Sequence, residues 1–338
     1  MTKKPQCVKR SRSVSQRDSS TGGNRRSGDE RETLDKIARL ESICSQDVGR
    51  GIDSLVKAAK GGLLGAARSI AEHPHPNVAI ITGFFMPNGN PPCPETDGPI
   101  GSALLAATLH ELGISVRIVT DSLCSQTVKT AVVAAGISED IPLDIVAVGE
   151  VKENQHSVTS LLEFWKSSAL PISHIISIER VGPGKDDIIR NMRGQDVTAY
   201  TAPLHLLFES KKIISVGIGD GGNELGMGNI SREIIASSIR HGEKIACKIK
   251  CDYLIVCGVS NWGATGILLA LSLLRTDWKA VILKKLNPEI EFHILETLIN
   301  QGLAIDGIRG IPSLSVDNLS WEFHAEVLKK AIEIVVSC

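Results

Sequence analysis

Residues 213–228 read IISVGIGDGGNELGMG, and this stretch gives the strongest indication of the fold class. Its first six residues are rich in isoleucine and valine and lack the regular polar alternation of a half-exposed strand. Six of the twelve residues from 217 to 228 are glycine, which lets a backbone pass close to a ligand or to another chain segment. The stretch therefore predicts a strand buried on both faces that ends in a loop able to line a binding site.

The same pattern recurs along the chain, because short apolar runs end in Gly- or Pro-rich loops and are followed by stretches of helical length. The predicted strands are 78–82, 115–120, 144–148, 174–178, 213–218 and 253–257, and a short one at 313–316. The predicted helices are 34–44, 53–72, 101–112, 158–168, 231–240, 263–274, 288–301 and 321–336. This alternation predicts an α/β fold, in which a mostly parallel sheet carries helices on both faces within a single large domain.

Charge separates the first 33 residues from the rest of the 338-residue chain. Residues 1–33 carry nine basic and four acidic side chains, which leaves 28 bases against 34 acids in residues 34–338. An acidic folded part argues against a nucleic-acid partner. We expect residues 1–33 to be a disordered basic Ser-rich tail, and a transit peptide is the alternative. Residues 34–338 are expected to form the single folded domain.

Cysteine spacing and hydropathy bear on the redox compartment and on membrane association. The eight cysteines show no paired spacing, which favours free thiols in a reducing compartment. The longest apolar run, 267–274, is far shorter than the roughly 18 residues that a membrane span needs. We therefore expect no membrane partner, and the sequence leaves a homo-oligomer possible.

Acidic side chains follow several of the predicted strands. Ligands in open parallel sheets bind beyond the carboxyl ends of the strands, so these positions form the candidate site. The acids are Glu95, Asp97, Glu179, Asp220 and Glu224, and their loops provide no matching basic pocket. Carboxylates in one cleft repel one another, and a divalent cation relieves that repulsion. An all-oxygen site favours Mn²⁺ or Mg²⁺, with Glu95, Asp97, Asp220 and Glu224 as the predicted metal ligands.

Structural interpretations of these loops stay open at this point. Asp97 can cap the helix that follows it, and Ser260 and Asn261 can either cap a helix or bind an anionic ligand. Gly217, Gly219 and Gly222 satisfy the dinucleotide-binding spacing G-x-G-x-x-G. That match is weak, because the acids of the same loop would face a pyrophosphate, and we expect no nucleotide cofactor.

These loops, in this order, resemble the D-glutamate cyclase family. The matching stretches are 95–99, 178–180, 191 with 193, 217–228, 239–242, 245–247, 258–263 and 324–326, within a resemblance that covers about residues 50–336. The resemblance implies a hydro-lyase that converts D-glutamate to 5-oxo-D-proline and water, a divalent metal, and a mitochondrial location; a cytoplasmic one is the alternative. The chain departs from the family at Ile188-Ile189-Arg190, where family members carry a pair of tyrosines.

Roles for the side chains follow from the implied reaction. Glu179 is the predicted general base, and Asp220 and Glu224 are predicted to be catalytic as well as metal-binding. The small-molecule substrate, D-glutamate, is predicted to contact Arg180, Asn191, Arg193, Asn223, Ser260 and Asn261.

Two other functions are compatible with the same residues. A metal-dependent hydrolase, such as a phosphatase, would use the acidic cleft with Arg180 and Arg193 on phosphate. A non-catalytic amino-acid-binding protein is the second alternative, and the missing tyrosines favour it.

Overall fold

A computed structural model describes Met1 and residues 21–137, 141–149 and 151–337. Residues 2–20, most of the predicted tail, lie outside the described residues. The first helix already begins at Thr21, thirteen positions before the predicted start at Leu34.

Six parallel strands form the central sheet, which confirms the predicted α/β class. They are β1 (Asn77–Thr82), β2 (Ser115–Asp121), β3 (Leu143–Val146), β4 (His174–Ile178), β5 (Ile214–Gly219) and β6 (Tyr253–Val256). Their order across the sheet is β3-β2-β1-β4-β5-β6, with every neighbouring pair parallel. Two short antiparallel pairs lie outside this sheet, Phe85–Met86 with Cys93–Pro94 and Ser315–Val316 with Leu319–Ser320.

Twelve α-helices connect and cover the strands in the described part of the chain. They are α1 (Thr21–Cys44), α2 (Asp53–Ala59), α3 (Gly62–Glu72), α4 (Pro99–Glu111), α5 (Ser125–Ala134), α6 (Val151–Ser167), α7 (Arg232–Ser238), α8 (Gly242–Ile245), α9 (Ser260–Leu274), α10 (Lys279–Lys285), α11 (Pro288–Asn300) and α12 (Trp321–Val336). Two 3₁₀ segments, Thr198–Tyr200 and Leu204–Glu209, lie between β4 and β5.

The predicted helix 53–72 is in fact two helices, α2 and α3. Gly61 has φ +91°, a left-handed conformation that ends α2, and it directly precedes the first residue of α3. The backbone of Gly62 then passes so close to β6 that a Cβ atom there would lie 1.8 Å from the carbonyl oxygen of Leu254. The two glycines thus make the break and let α3 pack directly against the sheet.

Side chains of each strand alternate between two buried layers. Val78 and Ile80 of β1 pack in the larger layer, with α1, α3, α4 and α9, whereas Ala79 and Ile81 pack in the layer of the 204–209 segment. Both faces of the sheet are therefore covered, as continuous apolar strands require. Even the largely apolar α9 is short, and no helix in the described ranges is long and apolar enough to cross a membrane.

Acid is expected to destabilise the fold through His174, at the start of β4. Burial, with a smaller contribution from nearby His73, lowers the pKa of His174 from 6.5 to about 4. The unfolded chain gains this proton near pH 6.5 and the folded chain only near pH 4. Stability is therefore complete above pH 6.5 and falls toward pH 4, by up to about 3 kcal/mol from this group.

Urea unfolding at pH 7, 5.5 and 4.5 measures this slope. H174Q is expected to flatten it, whereas H75Q, which alters an exposed histidine, leaves it unchanged. Burial raises the pKa of Glu291 to about 7, which contributes the opposite slope, so variants are compared with wild type at each pH. An undiminished slope in H174Q would contradict the assignment.

Candidate functional site

The candidate site lies where the strand order of the sheet reverses. The chain leaves β1 toward β2 and β3 on one side, and β4 leads to β5 and β6 on the other, which opens a crevice at the carboxyl ends of the strands. The loop after β1 delivers Glu95 and Asp97, β4 is followed by Glu179, and β5 by Asp220. All four acids are buried.

Three of these carboxylates come together. Asp97, Glu179 and Asp220 each offer one oxygen, and the three oxygens lie within 4.8 Å of one another. Magnesium and calcium ions take oxygen ligands at about 2.0–2.6 Å, so oxygens on opposite sides of one such ion stand about 4–5 Å apart. Asp220 Oδ2 is buried and has no hydrogen-bond partner among the described residues. The donor set and the open oxygen both fit a divalent cation.

Asp97 is fixed by the N-terminus of α9. Its Oδ2 accepts a hydrogen bond from the backbone N–H of Ser260 and its Oδ1 from that of Asn261, both at 2.8 Å. In return, Asn261 Oδ1 accepts from the N–H groups of Gly98 and Gly101 at the start of α4, at 3.0 and 2.7 Å. Asp97 therefore caps α9 and also accepts from the N–H of Gly98 at 3.0 Å, whereas Asn261 reaches further into the first turn of α4.

Glu179 is held in an unusual backbone conformation. Its φ of +48° lies in the left-handed region, which residues other than glycine adopt uncommonly. Its Oε2 accepts a hydrogen bond of 2.6 Å from Ser260 Oγ. Gly98 makes room for it, because a Cβ at Gly98 would lie 3.0 Å from the Glu179 Cβ. The carboxylate is thereby turned toward Asp97 and Asp220.

A basic partner absent from the predicted loops enters the cluster. Arg50, from the segment before α2, places Nη1 2.9 Å from Asp220 Oδ1 and Nη2 2.7 Å from Asp317 Oδ2. The expectation that the acids lack a basic neighbour is therefore wrong for Asp220. Asp317 and Asn318 both have positive φ in the turn between Ser315–Val316 and Leu319–Ser320, where Asp-Asn is a typical hairpin signal. Nothing near Arg50 in the sequence marks its role.

The hairpin that carries Asp317 is tied to α9 through a buried histidine. Trp262 Nε1 donates to His324 Nδ1 at 3.0 Å, which assigns the remaining ring proton to Nε2, 3.1 Å from the carbonyl oxygen of Val316. Burial lowers the pKa of His324, which favours this neutral form. His324 thus sets the hairpin against the helix start that holds Asp97.

Glu224 lies in a different arrangement from the one predicted. Its Oε1 accepts hydrogen bonds from the N–H groups of Asp220 and Gly221 at 3.3 and 2.7 Å, and its Oε2 accepts from Gly222 at 2.8 Å. The three-carboxylate cluster does not include it. Its geometry is that of a side chain that shapes the glycine-rich loop and so orients Asp220.

A narrow cavity of about 50 Å³ opens beside the cluster. The polar and charged side chains that line it are Arg50, Glu95, Glu179, Asn191, Arg193 and Asp317. Arg193 is exposed, and its Nη2 donates to the carbonyl oxygen of Ile308 at 3.1 Å across the mouth. Asn191 is buried and accepts through Oδ1 from the N–H groups of Arg193 and Gln195. Two of the predicted substrate contacts therefore border the cavity.

Arg180 does not border it. The side chain is 1% exposed, and Nη1 donates to Asp121 Oδ2 and to the carbonyl oxygen of Gly83, both at 2.6 Å. Nη2 donates to the carbonyl oxygen of Ala202 at 2.8 Å. The predicted substrate role of Arg180 is replaced by a structural one, because Asp121 at the end of β2 already neutralises the guanidinium.

Asn223 is likewise engaged with the backbone, since its Nδ2 donates to the carbonyl oxygen of Arg190 at 2.9 Å. Of the six predicted substrate contacts, Ser260 touches the carboxylate of Glu179, whereas Asn223 and Asn261 bind backbone groups of neighbouring loops.

Burial raises the pKa of five carboxyl groups at the cleft. It is the largest influence on Glu95, Asp97, Glu179, Asp220 and Glu224. Neighbouring carboxylates raise the pKa of Glu95, Asp97, Glu179 and Asp220 further, whereas Arg50 lowers that of Asp220. A site of this kind binds cations or protons readily, because either removes the repulsion.

Comparison with known proteins identifies the relatives of this chain. Residues 40–332 match a family described as D-glutamate cyclase-like, C-terminal. The chain is 31% identical over 329 residues to the human protein named D-glutamate cyclase, mitochondrial. The aligned region covers 89% of this chain and 52% of the human protein, so the chain spans about half the length of this curated relative.

Glu224→Gln is expected to destabilise the fold without changing cation affinity. The glutamine amide would face one of the three backbone N–H groups that the carboxylate accepts, and the unpaired buried donor costs about 1–3 kcal/mol. Urea unfolding measures the loss, and Mn²⁺ titration measures the affinity. E233Q, in the exposed first turn of α7, is the control. A stable E224Q that no longer binds Mn²⁺ would return Glu224 to the metal ligands that the sequence predicts.

Proposed function

The chain belongs to the D-glutamate cyclase-like family, and we propose that it converts D-glutamate to 5-oxo-D-proline and water. The observation that carries this proposal is the convergence of Asp97, Glu179 and Asp220 at the crevice of the sheet. A small dicarboxylate bound there would meet both negative and positive groups. A non-polar ligand would find few partners.

The reaction joins the two ends of one molecule. The α-nitrogen forms a bond to the γ-carboxyl carbon, and one γ-carboxylate oxygen leaves. The ammonium group carries three protons; one stays on the ring nitrogen and two leave with that oxygen as water. The protein must therefore hold the chain folded, move protons from nitrogen to oxygen, and stabilise negative charge as the carboxylate is attacked.

Asp97 and Asp220 would hold the divalent cation, Mn²⁺ or Mg²⁺, that we include in the proposal, and Glu179 lies beside them as the carboxylate that stays free to exchange protons. When bound, such a cation supplies Lewis-acid polarisation of the γ-carboxylate, which is otherwise a poor electrophile. Asp97 keeps its place because two amides of α9 fix its oxygens, and Asp220 because Arg50 holds its Oδ1. The protein therefore presents these carboxylates in position before any ligand binds.

We assign the proton relay to Glu179. Ser260 Oγ holds its Oε2, and the residue lines the cavity. Its pKa is raised by burial and by the neighbouring carboxylates, which makes it a better proton acceptor than an exposed glutamate. In our proposal it carries both protons, one after the other, from the ammonium nitrogen to the departing oxygen.

Asn191 and Arg193 are assigned to the α-carboxylate. Both line the cavity, and Arg193 is the exposed cation at its mouth. An arginine can grip a carboxylate through two parallel hydrogen bonds, which fixes orientation as well as position. A five-carbon acid held at both ends loses the freedom that slows cyclisation in water.

The mitochondrial matrix is part of the proposal, with the cytoplasm as the alternative. The human relative is named as mitochondrial, and the first 33 residues of this chain are basic and rich in serine. Fluorescence microscopy of the full chain with a C-terminal tag, compared with a version that lacks residues 2–33, tests the location.

The cyclase and its two alternatives make different predictions. A phosphatase that uses Arg180 on phosphate is disfavoured, because that guanidinium is bound to Asp121. An amino-acid-binding protein would gain thermal stability from D-glutamate without forming product. A panel of phosphate esters, assayed beside both glutamate enantiomers, separates the three functions.

Purified protein with Mn²⁺ is expected to form 5-oxoproline from D-glutamate, and EDTA is expected to stop the reaction. D220N should lower the rate at least a hundredfold with little loss of stability, because it removes a cation ligand while an amide oxygen can still accept from Arg50. D144N alters an equally paired aspartate at the edge of the sheet, where Arg117 binds it, and should retain activity. Chromatographic detection of 5-oxoproline measures the rate of product formation by wild type, D220N and D144N.

Product formation that is unchanged by EDTA would remove the metal from the proposal. A fully active D220N would remove Asp220 from the catalytic groups.

A further inference from the structure

We infer that Glu95 receives the ammonium group of the substrate, so that the cleft selects amino dicarboxylates over dicarboxylates that lack the amine. The inference rests on the proposed function, because it assigns the positive end of the same ligand. It gives Glu95 a different role from the metal ligation that the sequence predicts.

This assignment follows from a comparison of the positively charged partners available to each carboxylate of the cleft. Asp97, Glu179 and Asp220 share the candidate cation site. Asp317 already pairs with Arg50. Glu95 remains: its side chain is among the buried ones, with 5% of the residue exposed, and its Oε1 has no hydrogen-bond partner in the described ranges. A buried carboxylate left in this state is stabilised by a ligand that brings a positive charge and N–H donors.

The backbone around Glu95 fixes where its carboxylate lies. The backbone N–H of Glu95 donates to the carbonyl oxygen of Phe84, and the backbone N–H of Thr96 donates to the carbonyl oxygen of Ile305. Gly307 packs against the other oxygen so closely that a Cβ atom there would lie 2.0 Å from Oε2. The loop of Gly307 thus covers one side of the carboxylate, while the residue still lines the cavity.

A second metal ion explains the open oxygen less well than an ammonium group does. Magnesium and calcium require six or more oxygen ligands, several of them from the protein or ordered water. Within the described residues, the one group of three or more potential metal-binding side chains is Asp97, Glu179 and Asp220. A primary ammonium carries one charge and three donors, and a single carboxylate satisfies it through a charge-assisted hydrogen bond.

The positions of the other groups fit a three-point contact. The cavity that Glu95 lines is also lined by Asn191 and Arg193, which we assign to the α-carboxylate, and by Glu179 of the cation cluster. The amine and the α-carboxylate of an amino acid share one carbon atom, so both must be met in the same small space. Three different partners around that molecule also distinguish its two mirror images.

The test compares D-glutamate with glutarate, the same dicarboxylate without the amine. Isothermal titration with Mn²⁺ present is expected to show at least tenfold tighter binding of D-glutamate by wild type. E95Q should lose at least tenfold in D-glutamate affinity and leave glutarate affinity unchanged or improved. Its Mn²⁺ affinity should equal that of wild type. E111Q, which alters a surface glutamate paired with Lys285, is the matched control and should behave as wild type.

Several results would overturn the inference: E95Q that weakens both ligands equally, E95Q that weakens neither, or E95Q that no longer binds Mn²⁺. If E95Q does not fold, wild type alone decides, since D-2-hydroxyglutarate, with a hydroxyl in place of the amine, should bind at least tenfold more weakly than D-glutamate. Equal binding would overturn the inference.

The proposed function fails in a different experiment. Wild type that prefers D-glutamate to glutarate yet forms no 5-oxoproline would retain the ammonium site and reject the cyclase. Wild type that forms product while E95Q keeps full discrimination would retain the cyclase and reject the ammonium site.

Discussion

The exchange of hydrogen bonds between the loop of Asp97 and the start of α9 is the interaction on which the rest of the site depends. The Asp97 side chain caps α9 and that of Asn261 binds the first turn of α4, so α4 and α9 begin at one fixed point above the crevice. Helix N-termini stabilise a carboxylate through their free N–H groups and their dipoles. That stabilisation keeps Asp97 in place beside two further buried carboxylates, and Ser260 of the same helix start holds one of them.

Against this attraction stands a strong repulsion. Five buried carboxylates lie close together here: Glu95, Asp97, Glu179, Asp220 and Asp317. Arg50 pairs with two of them, and the other arginine of the cavity, Arg193, is exposed at its mouth. Burial of unpaired charge is costly, so a fold optimised only for stability would not retain this arrangement. A loss of folding stability of this kind is typical of functional sites, where a bound ligand supplies the compensating positive charge. Glu179, with its left-handed backbone, adds local strain at the same place.

Much of the fold could be predicted from the sequence, because strands buried on both faces need continuous apolar runs and parallel connections need helices. The approach of Asp97, Glu179 and Asp220 followed from the same rule, since parallel strands end at one edge of the sheet. Side-chain direction could not be predicted. Glu224 turns back onto its own loop because of the dihedral angles of that loop, and Gly222 and Gly226 both have positive φ there.

Ion pairs between residues that are distant in sequence also could not be predicted. Arg180 follows an apolar strand just as a binding residue would, and only the position of Asp121 at the end of β2 reveals it as structural. Arg50 lies in a short loop, and the residues around it form no motif that predicts an ion pair. Its partner Asp317 lies far from it in the sequence. Their pairing is a property of the tertiary structure alone.

That pairing has a consequence for biosynthesis. The guanidinium of Arg50 emerges from the ribosome before its second partner, Asp317, which lies far later in the sequence. Until the hairpin of Asp317 docks, Arg50 lacks the second of its two carboxylate partners. Docking of that hairpin thus completes the ion pairs of Arg50 beside the carboxylate cluster.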